Sequence, residues 1–178
     1  MNFNERFQKW PFKVPSCLID TFACPIEEPY LCPWDYYNRK LGTTAILYEV
    51  VLSLGTKRIV SFTGPFKGKA HDKTICENFT MRHGFIRHGE KAMADKAYNN
   101  PALFMFPRRG FQQAMSREDR RYNYLLYRVR QAVERVIRRA RSFQMMNVRW
   151  RFDFRFHADC SFAIAKLVNA SLLFEPLG

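Results

Sequence analysis

The sequence predicts one mixed α/β domain, and three observations carry that reading. Two β-rich runs, residues 45–54 and 58–62, flank a Gly55-Thr56-Lys57 connection and read as a hairpin. A long arginine-rich segment repeats apolar residues at steps of three and four, the signature of an amphipathic helix. With 178 residues, 47% hydrophobic and 16% aromatic, the chain can bury a sizeable core.

Taken in order, residues 1–16 read as an irregular lead-in, with Pro11 and Pro15 against any regular element. Residues 17–26 form a first strand, interrupted by Pro25, and the domain is expected over 17–175. The following loop holds Pro29 and Pro33 and carries Trp34, Tyr36 and Tyr37, which are read as packing over the hairpin, with base stacking as the alternative. A Gly-Pro-Phe-Lys-Gly loop (64–68) then leads to His71 and Asp72, and residues 73–85 suit a short helix ending at Gly84. Residues 91–94 and 102–106 are short buried strands, and 108–115 a loop. Ser116 is a plausible N-cap, with Asp119 three residues on. The helix from there to residue 142 turns Leu126, Val129, Val133, Val136, Ile137 and Ala140 to one side. Residues 158–173 repeat the helical pattern. Phe62, Phe104 and Phe106 are expected in the core.

The charge is lopsided: 29 Lys and Arg against 16 Asp and Glu give a formal net charge of +13. Such a balance points to a polyanion, with nucleic acid the leading candidate. The N-terminal ten residues lack the apolar run of a signal peptide, and residues 162–174 are too short and too interrupted to span a bilayer, so the chain is expected to be soluble and intracellular. Five cysteines without a CxxC, and four histidines outside any zinc spacing, favour reduced thiols over a disulfide framework or structural zinc. No Gly-x-Ser-x-Gly, phosphate-binding Walker loop or dinucleotide glycine fingerprint is present.

Three carboxylates remain. Asp20 and Asp95 each end an apolar run, and Glu134 lies in the long helix. Two strand-end aspartates and a helical glutamate can converge on a pair of divalent cations, the apparatus for cutting phosphodiesters. Each has a plainer reading: a turn for Asp20, an Asx turn or a pair with Lys96 for Asp95, and i,i+4 pairs with Arg130 and Arg138 for Glu134. Asp72 reads equally as a helix N-cap or, beside His71, as part of a site.

Six stretches carry a resemblance: IDTFACPIEEP (19–29), YYNRK (36–40), YEVVLSLGTKRIVSFTGPFKGKAHDKTI (48–75), GEKAMADKAY (89–98), RVRQAVERV (128–136) and WRFDFRFH (150–157). Their content and order resemble the catalytic domain of PIF/Harbinger-type transposases, DDE superfamily endonucleases. The resemblance implies an RNase H-like fold, a central mixed sheet flanked by helices, and a two-metal site for Mg²⁺ or Mn²⁺. It puts the metal-binding and catalytic acids on Asp20, Asp95 and Glu134, and a supporting pair on His71 and Asp72. Arg130, Arg138 and Arg141, on the flank of the same helix, are the expected contacts to the DNA backbone.

Two positions depart from the family pattern. Ala97 stands where a glycine is common, so the loop behind Asp95 is expected to be strained if a positive φ is needed there. Ile137-Arg138 replace a phenylalanine-glycine. Asp20 also stands near the start, leaving little room upstream for the helix-turn-helix segment such transposases carry. The expected function is a Mg²⁺-dependent DNA endonuclease with strand-transfer capacity, nuclear by family likeness. The alternative is a domesticated, catalytically silent DNA-binding or adaptor protein. A separate DNA-binding partner protein and a homo-oligomer both stay open.

Overall fold

The computed structural model describes residues 15–81, 90–108, 110 and 115–177. Most of the expected lead-in, the end of the helix expected over 73–85, and much of the 108–115 loop lie outside the described residues. The fold is a mixed α/β arrangement around one sheet. Its strands are β1 (Cys17–Pro25), β2 (Tyr37–Asn38), β3 (Thr43–Ser53), β4 (Ile59–Lys67), β5 (Ala92–Met93) and β6 (Phe104–Met105). The helices are α1 (Pro33–Tyr36), α2 (Asp72–Ile75, continued as a π-turn over Cys76–Met81), α3 (Arg117–Arg141) and α4 (Phe154–Phe174).

β1 is central. It pairs antiparallel with β3 and parallel with β5; β3 pairs antiparallel with β4, and β5 parallel with β6. This antiparallel trio extended by two parallel strands is the RNase H-like arrangement that the family resemblance implied. All of β3 after Thr43 is buried, as its near-continuous apolar run requires of a strand covered on both faces. The hairpin turn places Lys57 at φ 57°, in the left-handed region.

One element differs from expectation. Residues 64–68 do not form a loop: β4 runs through Gly64 and Pro65 to Lys67. A proline survives in a strand where its missing N–H is not needed, at an irregular edge, and the β3–β4 register slips beside it, between Leu47 and Glu49. Gly64, at φ +146°, is where Tyr48 crosses: an added Cβ would meet the Tyr48 ring at 2.5 Å.

The sheet divides the core. On one face, Leu18, Phe22, Cys24, Val50 and Phe62 pack with Leu126, Val133, Val136 and Ala140 of α3 and Ile164, Val168 and Leu172 of α4. On the other, Cys17, Ile19, Val51 and Val60 pack with Cys76, Tyr98 and Phe104. α3 is opened as expected by Ser116, whose hydroxyl accepts from Asp119 N at 3.0 Å. α4 begins before residue 158 because Asp153 caps it, accepting from Arg155 N at 2.6 Å. Phe62 and Phe104 are buried and Phe106 packs at the margin. Among the described residues no cysteine forms a disulfide, and Cys17, Cys24 and Cys76 are buried. Among the described residues no helix is long and apolar enough to cross a membrane.

Candidate functional site

Alternation along β1 decides where Asp20 points. Leu18, Phe22 and Cys24 face α3 and α4, so Asp20, in the same phase, stands on the α3 side of the sheet. Asp95 is set by register: Cys17 pairs with Ala92 and Leu18 with Met93, an offset of 75 residues. Asp20 and Asp95 are separated by that same offset, so extending the register past the end of β5 brings Asp95 abreast of Asp20, which lies inside β1 and not at its end as the sequence suggested. Asp95 caps the 3₁₀ turn Lys96–Tyr98, accepting from Lys96 N at 2.6 Å. Ala97, inside that turn, needs no left-handed φ: among described non-glycine residues only Cys32 and Lys57 lie in that region, so the expected strain is absent.

Glu134 comes from α3. It is exposed and makes no ion pair among the described residues, so the i,i+4 pairs with Arg130 and Arg138 are not formed. It lines a cleft of about 1210 Å³ together with Asp20, His71, Asp72 and Arg138. Asp95 is not part of that lining, although its neighbour Ala97 is. Among the described residues no three His, Cys, Asp or Glu side chains are grouped closely enough to hold a metal ion. The fold thus brings the three acids to one end of the sheet without closing their side chains around one point.

The electrostatics fit that picture. Burial pushes the Asp20 carboxyl from 3.8 up to about 6; Asp72 and Asp95 add repulsion, while the Thr21 N–H, 2.9 Å away, and Arg130 oppose it. Among the described residues no cation pairs with Asp20. A half-buried carboxylate short of a counter-charge, with two more acids nearby, is a donor set suited to a hard divalent cation. The donor type suits a divalent cation, while among the described residues the side chains are not gathered around one point.

The supporting residues divide. Asp72 is largely buried and pairs with Lys40 at 3.3 Å. It is the first residue of α2 and not its cap, a place taken by His71, which makes no side-chain capping bond. Arg130 lies 3.3 Å from Asp95. Arg141 donates to Ala23 O at 3.2 Å and lies over the Phe22 ring, 5.9 Å from its centre, so its guanidinium braces α3 against β1. Of the three arginines expected on DNA, Arg138 alone is exposed on the cleft, with no partner among the described residues. Ile137 packs against the core in place of the family's phenylalanine.

Two groups escaped the sequence reading. Glu49 of β3 is fully buried beside Thr80, and its Oε2 has no hydrogen-bond partner among the described residues. Its place opposite Thr21 in the ladder, where the burial arises, could not be read from an apolar run. Trp34 and Tyr37, expected to pack over the hairpin, are instead 78% and 44% exposed and line the cleft; of the aromatic trio only Tyr36 packs, 5.3 Å from the Phe154 ring.

The chain is 25% identical over 169 residues to a probable transposase for insertion sequence element IS702 from Microchaete diplosiphon, a match covering 92% of the chain and 60% of that protein. The chain therefore spans about 60% of the length of the curated relative it matches. No solved structure matches. Residues 19–169, which include Asp20, Asp95 and Glu134, match the family model described as DDE superfamily endonuclease. With most of its length covered by that match, the chain belongs to the DDE superfamily endonucleases.

Proposed function

We propose that this chain is a Mg²⁺- or Mn²⁺-dependent DNA endonuclease of PIF/Harbinger transposase type, cutting phosphodiesters and competent for strand transfer. The observation that supports the reading is the 75-residue offset that the β1–β5 pairs share with Asp20 and Asp95, together with Glu134 on the cleft that Asp20 lines. In this reading Asp20, Asp95 and Glu134 hold two divalent ions. Held there, such ions would supply activation of the attacking water or 3′-hydroxyl and neutralisation of charge on the leaving oxygen.

The protein's own part is positioning. Asp20, half-buried and with no ion-pair partner among the described residues, would release its proton to solvent on taking up a cation. Asp72, fixed by Lys40, adds negative potential at the cleft wall, with His71 beside it. Arg138, exposed on the cleft, contacts phosphate without reading sequence. The acting protein resides in the nucleus in this proposal, and specific end recognition belongs to another chain or segment.

Supercoiled plasmid incubated with Mg²⁺ tests the reading. Nicking by the wild type, abolished by chelation and by Asp95→Ala, is the expected result. Equal nicking by wild type and Asp95→Ala overturns it.

One observation favours a second reading, a catalytically silent DNA-binding or adaptor protein: Arg130 lies on Asp95, where a cation would compete with it. Titration with Mn²⁺ separates the two, because a silent protein binds no metal through these carboxylates.

A further inference from the structure

The exposed tryptophan in the cleft is not accounted for by cleavage chemistry. Trp34 is 78% exposed and Tyr37 44% exposed, yet both line the cavity that Asp20 and Glu134 line. A large aromatic side chain left in water gains nothing for folding. Nor does it swing on a loose loop. α1, which carries Trp34, is tied to the end of β4 by an ion pair of Asp35 with Lys67 at 2.7 Å and by Lys69 N donating to Asp35 O at 3.0 Å. Beyond Tyr37, buried Asn38 donates to Gly68 O at 2.9 Å and accepts from Lys40 N and Leu41 N at 3.1 Å each. The segment is braced and the rings are presented.

The charge around the rings is positive. Arg39 and Lys69 are exposed on the same cleft wall, and neither has an ion-pair partner among the described residues. Flat rings beside unpaired cations, on a rigid support, make the arrangement that binds single-stranded nucleic acid: bases stack and phosphates meet the cations. Duplex DNA keeps its bases inside the stack and offers a ring in this position nothing to lie on.

We propose that Trp34, with Tyr37, forms a stacking platform for an unpaired nucleobase of the DNA substrate, next to the acidic site. This rests on the DNA-cleaving reading and adds the strand state of the DNA: a frayed or single-stranded end enters the cleft, while paired DNA stays outside it. Trp34 and Tyr37 position the strand; they do not act on the phosphodiester.

The experiment measures binding alone, in chelator, so that it is independent of cleavage. The full chain is titrated into three fluorescein-labelled probes: a blunt duplex, the same duplex with a short unpaired 3′ tail, and the same duplex with an abasic tail. The abasic tail keeps the phosphates and lacks the bases. The wild type is expected to prefer the tail with bases over the abasic tail by at least about five-fold, the scale of one base–aromatic stack. Trp34→Ala and Trp34→Leu should remove that preference and leave blunt-duplex affinity nearly unchanged; Trp34→Phe should keep most of it. Because Trp34 is exposed, both variants should melt with the wild type, and Trp34→Leu retains apolar bulk without the flat ring. A wild type that does not distinguish the two tails, or a Trp34→Leu protein that distinguishes them fully, overturns the platform. So does preserved discrimination accompanied by a changed association state, which makes the patch a contact between copies. Failure of the nuclease reading shows itself elsewhere, in metal-dependent nicking that survives loss of Asp95.

Discussion

Arg130 of α3 sits on Asp95: its Nη1 is 3.3 Å from the carboxylate Oδ1. The same guanidinium lowers the proton affinity of Asp20, so one cation leans on two of the proposed metal ligands. Arg130 is thus the counter-charge that lets the acids share a sheet end without metal. A divalent ion arriving there must compete with it.

Removing that competitor should tighten metal binding. The Asp95 side chain is 46% exposed, so a water-like dielectric applies and one unit charge nearby is worth about 1 kcal/mol. Arg130→Gln is expected to bind Mn²⁺ roughly five-fold more tightly by calorimetry, with fold stability changed by less than about 1 kcal/mol. Weaker binding would mean that Arg130 supports the site in another way.

Asp20 makes the fold sensitive to pH. Its carboxyl rises from 3.8 unfolded to about 6 folded, so its contribution to stability is complete below pH 3.8 and is lost as pH rises through about 6. The difference corresponds to about 3 kcal/mol at most. Asp20→Asn keeps an acceptor for the Thr21 N–H and carries no charge. It should therefore stabilise the metal-free protein at pH 7.5, by about 1–3 kcal/mol, and hardly at all at pH 4. Denaturant midpoints at the two pH values decide this; an equal gain at both would exclude ionisation as the cause. Saturating Mg²⁺ should raise the wild-type midpoint at pH 7.5 more than that of Asp20→Asn.

How much of this was legible in the chain varies by element. The helix over 117–141 announces itself through period and capping, because its stripe and its Ser116 cap are local features. β4 was misread because Gly64-Pro65 is a turn signal in isolation, and only its place at a sheet edge makes the pair tolerable in a strand. The 75 residues between Asp20 and Asp95 can be counted in the sequence, but the number acquires meaning only from the β1–β5 register. Guanidiniums were least legible. Arg130, Arg138 and Arg141 share a helix flank, yet one meets a carboxylate, one a carbonyl and a ring, and one the cleft, as dictated by what β1 and β5 present.

Gly68 holds the aromatic wall of the cleft against the sheet. A Cβ there would run into the carbonyl oxygens of Tyr36 and Ala45, which are backbone atoms and cannot swing aside. Gly68→Ala should therefore separate the α1 segment from β3 and cost about 1–3 kcal/mol. The informative readout is quenching of tryptophan fluorescence by acrylamide. If Trp34 is held by this contact, its accessibility should change in Gly68→Ala while the α3 and α4 helical signal persists. An unchanged quenching profile with unchanged stability would mean that the segment is fixed by Asn38 and Asp35 alone.

Glu49 supplies the last prediction. Its carboxyl, fully buried, is driven from 4.5 to about 7, chiefly by desolvation; hydrogen bonds from Thr80 and Cys76 offset part of this, and Asp72 adds repulsion. The sign matches that of Asp20: the stability it carries is intact below pH 4.5 and is lost as pH rises through about 7. Once ionised, Glu49 is a buried anion whose Oε2 has no donor among the described residues, and the turn over Cys76–Met81 that covers it loses its reason to stay closed. Amide exchange in that turn should accelerate between pH 6 and 8 beyond the tenfold per pH unit due to base catalysis. Glu49→Gln should abolish the excess, since a neutral amide has no ionisation to drive opening. Exchange that tracks base catalysis alone in the wild type would show that ionisation of Glu49 does not open the turn.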